Sequence, residues 1–159
     1  MTIIHTTAIT GAENTDINAS DPMAALIEFY QAFNSGDLEL MSHNWEKSDE
    51  ASMSNPLGGV KRGWASISEV YSNIFNGHAK VYVEYYDYSI HHSGAMFCAV
   101  GRERGFFQLG KKRIDLAIRT SRIYRMNGGR WHQVHHHGSI DNPKLLATYQ
   151  EAVLGKQFA

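Results

Sequence analysis

Three consecutive histidines, His135, His136 and His137, and two arginines, Arg119 and Arg122, are the side chains of this 159-residue chain best suited to chemistry. Imidazole titrates near neutrality, so one histidine in a cavity can act as acid or base. Side chains alternate along an extended segment, which puts His136 with Val134 and Gly138 and turns His135 and His137 to the other face. That outer pair has a spacing two metal ligands could use, but no third ligand stands at a recognisable distance, and no metal is expected. Arg119 and Arg122 fall on opposite faces of a strand, so only one of them can line a cavity. An inward guanidinium would hold a carboxylate or enolate oxygen in its planar fork. The alternative is an ion pair with an acid such as Asp115 across a dimer. Tyr30, Trp45, Trp64 and Tyr71 could line a pocket or fill a core, and Glu84 and Asp87 read as surface or rim charges. The run Gly58-Gly59-Val60-Lys61-Arg62-Gly63 is glycine-rich and basic, yet no strand precedes it in the order a phosphate loop needs.

These residues need elements to hold them. Ser20-Asp21-Pro22 is a helix start, a capping residue followed by proline in the first turn. Ala25, Leu26, Phe29, Tyr30 and Phe33 then recur at helical spacing. Asn34-Ser35-Gly36-Asp37 ends that helix and caps a second, short one marked by Leu38, Met41 and Trp45. Asn55-Pro56-Leu57-Gly58-Gly59 reads as a loop. A third helix from about Trp64 to Phe75 carries Ile67, Val70, Tyr71 and Ile74 on one face. Beyond residue 78 the period changes to two, and 80–90, 95–109, 111–126 and 130–140 each read as a long strand. Asn127-Gly128-Gly129 supplies a tight hairpin, and Lys144–Leu154 reads as a C-terminal helix. Helices followed by an antiparallel meander make an α+β chain. Residues 1–20 are polar and aperiodic, and are expected to be a flexible arm ahead of a single domain over 21–159.

Composition excludes several function classes. Lys and Arg number 15 against 16 Asp and Glu, so no basic excess exists for a nucleic-acid backbone. No apolar run approaches the roughly 18 residues of a membrane span, and no membrane partner is expected. The N-terminus lacks the basic and apolar regions of a secretory signal. A single cysteine, Cys98, cannot form an internal disulfide, which favours a reducing, cytoplasmic setting. Small net charge and aromatic residues on both faces of the strands suggest that a second subunit covers part of the sheet, making a homodimer.

The segments Ala32-Phe33-Asn34-Ser35-Gly36-Asp37-Leu38 and Asn55-Pro56-Leu57-Gly58-Gly59 resemble the SnoaL-like and ketosteroid-isomerase-like proteins of the nuclear transport factor 2-like superfamily. Downstream, Arg119-Thr120-Ser121-Arg122, Gly128-Gly129-Arg130-Trp131 and His135-His136-His137-Gly138-Ser139 are similar to that superfamily's Arg-x-Thr, Gly-x-Trp and His-x-His-x-Ser signature. The association domain of calcium/calmodulin-dependent kinase II has a similar ending. The resemblance covers residues 22–140 in order. It implies a cone-shaped, curved antiparallel sheet wrapped around three N-terminal helices, a cystatin-like architecture, usually dimeric. Cavities in this superfamily serve isomerisation, cyclisation, epoxide hydrolysis or assembly, so the fold alone does not settle function.

The resemblance also assigns positions. The carboxylate base of the isomerases falls at Asn55, whose amide cannot act as a general base. Their oxyanion-stabilising tyrosine falls at Phe29, one residue before Tyr30, and its acidic partner near Ser121. The 134/136/138 face looks into the cone, which makes His136 the acid–base candidate. The kinase association domain places Arg122 inward, whereas the isomerase alignment favours Arg119 and Ser121; a bulge could reconcile the two. The expected site is therefore His136 with Arg122 or Arg119, and Tyr30, Asn55, Trp64, Tyr71 and Ser121 as ligand contacts, with no cofactor. The expected function is a small-molecule pocket without classical steroid isomerisation. Alternatives are a cofactor-independent isomerase, cyclase or hydrolase of an aromatic or polyketide-like compound, and an assembly domain.

Overall fold

Capping chemistry starts the chain's first helix where the sequence places it. In the computed structural model, which describes residues 1–14 and 16–155, helix α1 spans Pro22–Ser35. Asp21 accepts a hydrogen bond from the Met23 N–H at 2.9 Å, and Gly36 closes the helix at φ 67°. Asp37 then caps α2 (Leu38–Asn44) through the Leu40 N–H. Two short strands follow, β1 (Ser52–Ser54) and β2 (Lys61–Arg62), joined through the expected loop. Helix α3 spans Gly63–Asn76. The four long strands are β3 (Lys80–Ser93), β4 (Met96–Leu109), β5 (Lys112–Asn127) and β6 (Arg130–Ser139). Helix α4 (Pro143–Leu154) is capped by Asn142 and closed by Gly155. The last four residues of the domain expected over 21–159 lie outside the described residues.

The sheet has the order β2-β1-β6-β5-β4-β3. It is mixed rather than wholly antiparallel, because β1 runs parallel to β6, pairing Met53 with His136. Parallel neighbours need a long connection, and the whole run from α3 to β5 supplies it. Two irregularities curl the sheet around α1–α3. In β3 the register shifts between Tyr86 and Ser89, with Asp87 at φ 48°. In β6 Val134 is the extra residue between pairs Tyr124–Gln133 and Ile123–His135. Gly101 of β4 makes room at the first bend, since a Cβ there would lie 2.6 Å from Cβ of Tyr88, inside the stacked pair Tyr85–Tyr88.

The flexible arm expected over residues 1–20 needs correction. Ile9 is buried at 2% exposure, and the arm pairs with the outer edge of β3 through reciprocal backbone bonds of His5 with Tyr88 and Ile9 with Tyr85. His5 also stacks on Tyr88, with ring centres 4.8 Å apart. Just beyond the Ile9–Tyr85 pair, Asn34 of α1 bonds to the Val83 N–H, the Val83 carbonyl and the Thr10 carbonyl. The reason is the open edge of β3, whose unpaired backbone groups take the nearest extended segment. One apolar residue, Ile9, suffices to anchor it, and the aperiodic pattern hid that residue. Among the described residues, no helix is long and apolar enough to cross a membrane.

Ile9→Ala should therefore destabilise the fold by about 2–4 kcal/mol in chemical denaturation. Deleting residues 1–14 should lower the melting temperature by at least about 5 °C. A truncated protein that melts with the full chain would restore the dispensable arm.

Candidate functional site

The curled sheet, α1 and α3 enclose an inner cavity of about 80 Å³. Arg122 of β5 and His136 of β6 are register partners, so both reach this concave side. Val134 in the bulge resets the alternation, which brings Gln133 to the same side as His136. Glu103 of β4 completes the set, buried at 5% exposure.

The polar groups form one connected network. Glu103 Oε1 accepts from the Tyr30 hydroxyl at 2.6 Å and from Arg122 Nη2 at 2.7 Å. Arg122 Nη1 donates to Gln133 Oε1 at 2.8 Å, and its Nε donates to the Tyr30 oxygen at 3.3 Å. The guanidinium carbon stands 3.5 Å from the centre of the Phe29 ring, a close cation–π contact. Beyond Gln133 the network continues to Asn44 Oδ1, which also accepts from the Tyr124 hydroxyl at 3.0 Å. Glu103 Oε2 has no hydrogen-bond partner among the described residues, although Glu103 lines the cavity. His136 Nδ1 is itself fully buried without a partner among them.

Electrostatics follow from this packing. Burial works against the Arg122 cation, but the Tyr30 and Glu103 oxygens beside it outweigh burial and raise its pKa. Burial first, and the Arg122 charge second, hold His136 well below the usual imidazole range, so it is neutral near pH 7. The Tyr30 and Tyr71 hydroxyls are pushed up by burial and stay protonated. Arg122 and Glu103 cancel in formal charge, so the cavity carries a dipole and no net charge.

Of the residues expected at the site, Arg122, His136, Asn55 and Tyr71 line the cavity. Tyr30 stands behind it, its hydroxyl consumed by Glu103 and Arg122. Arg119 and Ser121 belong to the opposite face of β5, where Arg119 is exposed and pairs with Arg102 and Ser139 in register, so neither is part of the site. Trp64 is half-buried against the core and outside the cavity wall. His136 lies in the cavity as expected, and burial with the Arg122 charge holds it neutral, a weaker proton acceptor than a free imidazole. Asn55 spends its Oδ1 on the Leu57 N–H at 3.0 Å, shaping the loop. The pair His135 and His137 faces outward, and His135 Nδ1 lies 2.7 Å from the Ser52 hydroxyl. Glu103 and Gln133 escaped sequence reasoning. The signal for Glu103 was present: it is the single charge in the phase Phe97, Ala99, Gly101, Glu103, Gly105, Phe107 of β4. Gln133 carried no such signal, since only the bulge turns it inward.

A SnoaL-like domain profile matches residues 23–143. The chain belongs to the SnoaL-like domain family. No curated protein is similar enough to count as a match. Solved structures share the fold of this SnoaL-like domain at low identity. A proposed dehydratase of the nuclear transport factor 2-like family from Streptomyces avermitilis is 19% identical, with TM-score 0.67, over 76% of this chain and 94% of its own. An uncharacterised cystatin-like protein from Caulobacter vibrioides is 18% identical, with TM-score 0.64, over 84% and 95%. The association domain of calcium/calmodulin-dependent kinase II from C. elegans is 20% identical, with TM-score 0.61, over 74% and 92%. Within the SnoaL-like frame a tyrosine and an acid do meet, but as Tyr30 and Glu103 rather than at positions 29 and 121. The hydroxyl donates to the carboxylate, so the pair is not an oxyanion hole aimed at a ligand.

Removing one partner of this buried pair should be costly: Glu103→Gln leaves Arg122 unmatched and should destabilise the SnoaL-like domain by about 3–5 kcal/mol. A loss below about 1 kcal/mol would show that the pair is not structural. His136 sets a pH dependence. The unfolded chain takes up a proton at about pH 6.5, where folded His136 stays neutral, so stability is full above that pH and falls below it by at most about 1.4 kcal/mol per unit. Partly buried His132 and His135, also lowered by burial, add in the same direction. Melting curves from about pH 7.5 to about pH 5.5 should show the decline, and His136→Gln should flatten it. An identical slope in that variant would assign the loss elsewhere.

Proposed function

We propose that this domain binds a small neutral molecule, holding its polar group against Glu103, Arg122 and His136. The observation that carries this reading is the free Oε2 of Glu103, one oxygen of a buried carboxylate without a protein partner in a largely apolar cavity. That oxygen is not among the sealed, unpartnered atoms of the described residues, so it is open to the cavity, where a donor that enters with a ligand can reach it. Neutrality follows from the same pair. Arg122 already has its counter-charge, a carboxylate ligand would meet Glu103, and a cation would meet Arg122. A hydroxyl suits the site, donating to Glu103 and accepting from an Arg122 or imidazole N–H. Native mass spectrometry of the freshly purified protein should show a non-covalent adduct that disappears on denaturation. Free protein alone, with no adduct restored by small alcohols, would count against the reading.

A second reading rests on the same oxygen. Ionised Glu103 could take a proton from a carbon next to a ligand carbonyl, negative charge passing from the carboxylate to the carbonyl oxygen while Arg122 stays paired throughout. Such chemistry would need no cofactor and would use Glu103, not Asn55 or His136, as the base. Deuterium exchange at the α-carbons of cyclohexanone in D₂O should then be faster with the wild type than with Glu103→Gln. Equal rates would remove the base.

The assembly proposed for the chain is a homodimer through the convex face of the sheet. Met96 and Val100 are each 44% exposed there, beside half-buried Tyr82, Phe106 and Ile123. Burying about 1,600 Å² in total is typical of a stable pair. Sedimentation at micromolar concentration should give twice 17.9 kDa, and a monomer would refute the assembly.

A further inference from the structure

A second space adjoins the inner cavity, a chamber of about 580 Å³, within the roughly 300–1,000 Å³ of small-molecule sites. The two spaces share Phe33, Asn55, Leu57, Val70, Ile74, Val81 and Tyr149. Phe107 and Leu109 of β4 floor the chamber, and its polar side chains Lys61, Asn73 and His78 are exposed, placing them at the outer rim. Its roof is α4, a helix with no fully buried residue. The helix is held by a bond from Gln150 Nε2 to the Pro56 carbonyl at 3.0 Å and by Tyr149 edge-on to Phe107. Tyr149 and Val153 point apolar surface into the chamber without filling it. Burial, and to a lesser degree Glu103, push the Tyr149 hydroxyl up to about 12, which keeps this side of the passage uncharged.

Polarity therefore grades across the two adjoining spaces, from an exposed rim, through a chamber walled by aliphatic and aromatic side chains, to a hydrogen-bonding end at Glu103, Arg122 and His136. That gradient matches a molecule polar at one end only. We propose that the chamber beneath α4 takes the aliphatic tail of a neutral amphiphile whose single hydroxyl reaches the inner cavity. The proposal rests on the head-group reading above and adds the tail. Branched aliphatic walls, Leu57, Val70, Ile74, Val81 and Val153, suit a flexible chain, and the aromatic pair Phe107 and Tyr149 meets at 83°, so it offers no two parallel faces for a flat ring to stack between.

Straight-chain primary alcohols of increasing length, 1-butanol, 1-hexanol, 1-octanol and 1-decanol, test both halves by ligand-observed NMR titration on the full chain. Affinity should rise about fourfold per added methylene until the chamber is full. Val81→Trp, which fills the passage, should return 1-decanol to the affinity of 1-butanol; Ile74→Trp, from the opposite wall, serves if the first variant does not fold. His136→Leu leaves the ion pair intact and should weaken every alcohol by about tenfold, independent of length. Affinity that is flat with chain length overturns the tail chamber and leaves the head-group reading standing. Length dependence untouched by both tryptophan variants also overturns the chamber. Length dependence that His136→Leu does not shift overturns the head-group reading instead, and binding of none of the alcohols overturns both.

Discussion

A guanidinium and a carboxylate, each almost fully out of water, set the terms for the rest of this molecule. Taking two charges from water costs several kcal/mol per ion unless both are matched and their remaining hydrogen bonds filled. Arg122 is matched by Glu103, flanked by the Phe29 ring and bonded to Tyr30 and Gln133. These partners come from α1, β4 and β6 to an arginine of β5, and Gln133 passes the network to Asn44 at the end of α2. A shift of any one element would strand a charge or an amide, so the pair specifies one packing of helices on sheet more sharply than apolar contact could.

The same pair decides what the cavity offers. An arginine in a pocket ordinarily reads as an anion site, but here its field is cancelled at 2.7 Å and its usable chemistry is hydrogen bonding. Burial first, and the nearby Arg122 charge second, keep His136 neutral. Gly138 lets that imidazole lie close to the loop, because a Cβ there would stand 3.2 Å from Nε2 and 3.4 Å from Pro56. The loop after β1 is architecture, with Asn55 turning the chain through its bond from the Leu57 N–H.

A curled sheet closes one side of the cone yet leaves β3 with an open edge. The edge is covered without a further strand of regular length: two backbone pairs from residues 5 and 9 are followed by the Asn34 amide at Val83. Glu13 folds the arm back by accepting from the Thr10 and Gly11 N–H groups. Gly11 then lies so close to the Gln31 backbone that any side chain would collide.

Local chemistry was enough to settle the elements. Asp21, Gly36, Asp37, Asn142 and the period change after residue 78 each act within a few residues, so α1, α2, α3, the four long strands and the hairpin at Asn127-Gly128-Gly129 could be read directly. The motif order also carried the family and the inward direction of His136. What the linear pattern could not hold was anything set by registration between strands. A one-residue bulge at Val134 turned Gln133 inward, and strand pairing placed Arg122 rather than Arg119 opposite His136. Glu103 acquired its meaning only when β4 laid it beside a guanidinium 19 residues away. The arm showed too few apolar residues to announce a docking site, because backbone pairing with an open edge needs little side-chain signal. Partners distant in the chain, burial and the field they share are properties of the folded arrangement, and they alone made His136 neutral and the cavity uncharged.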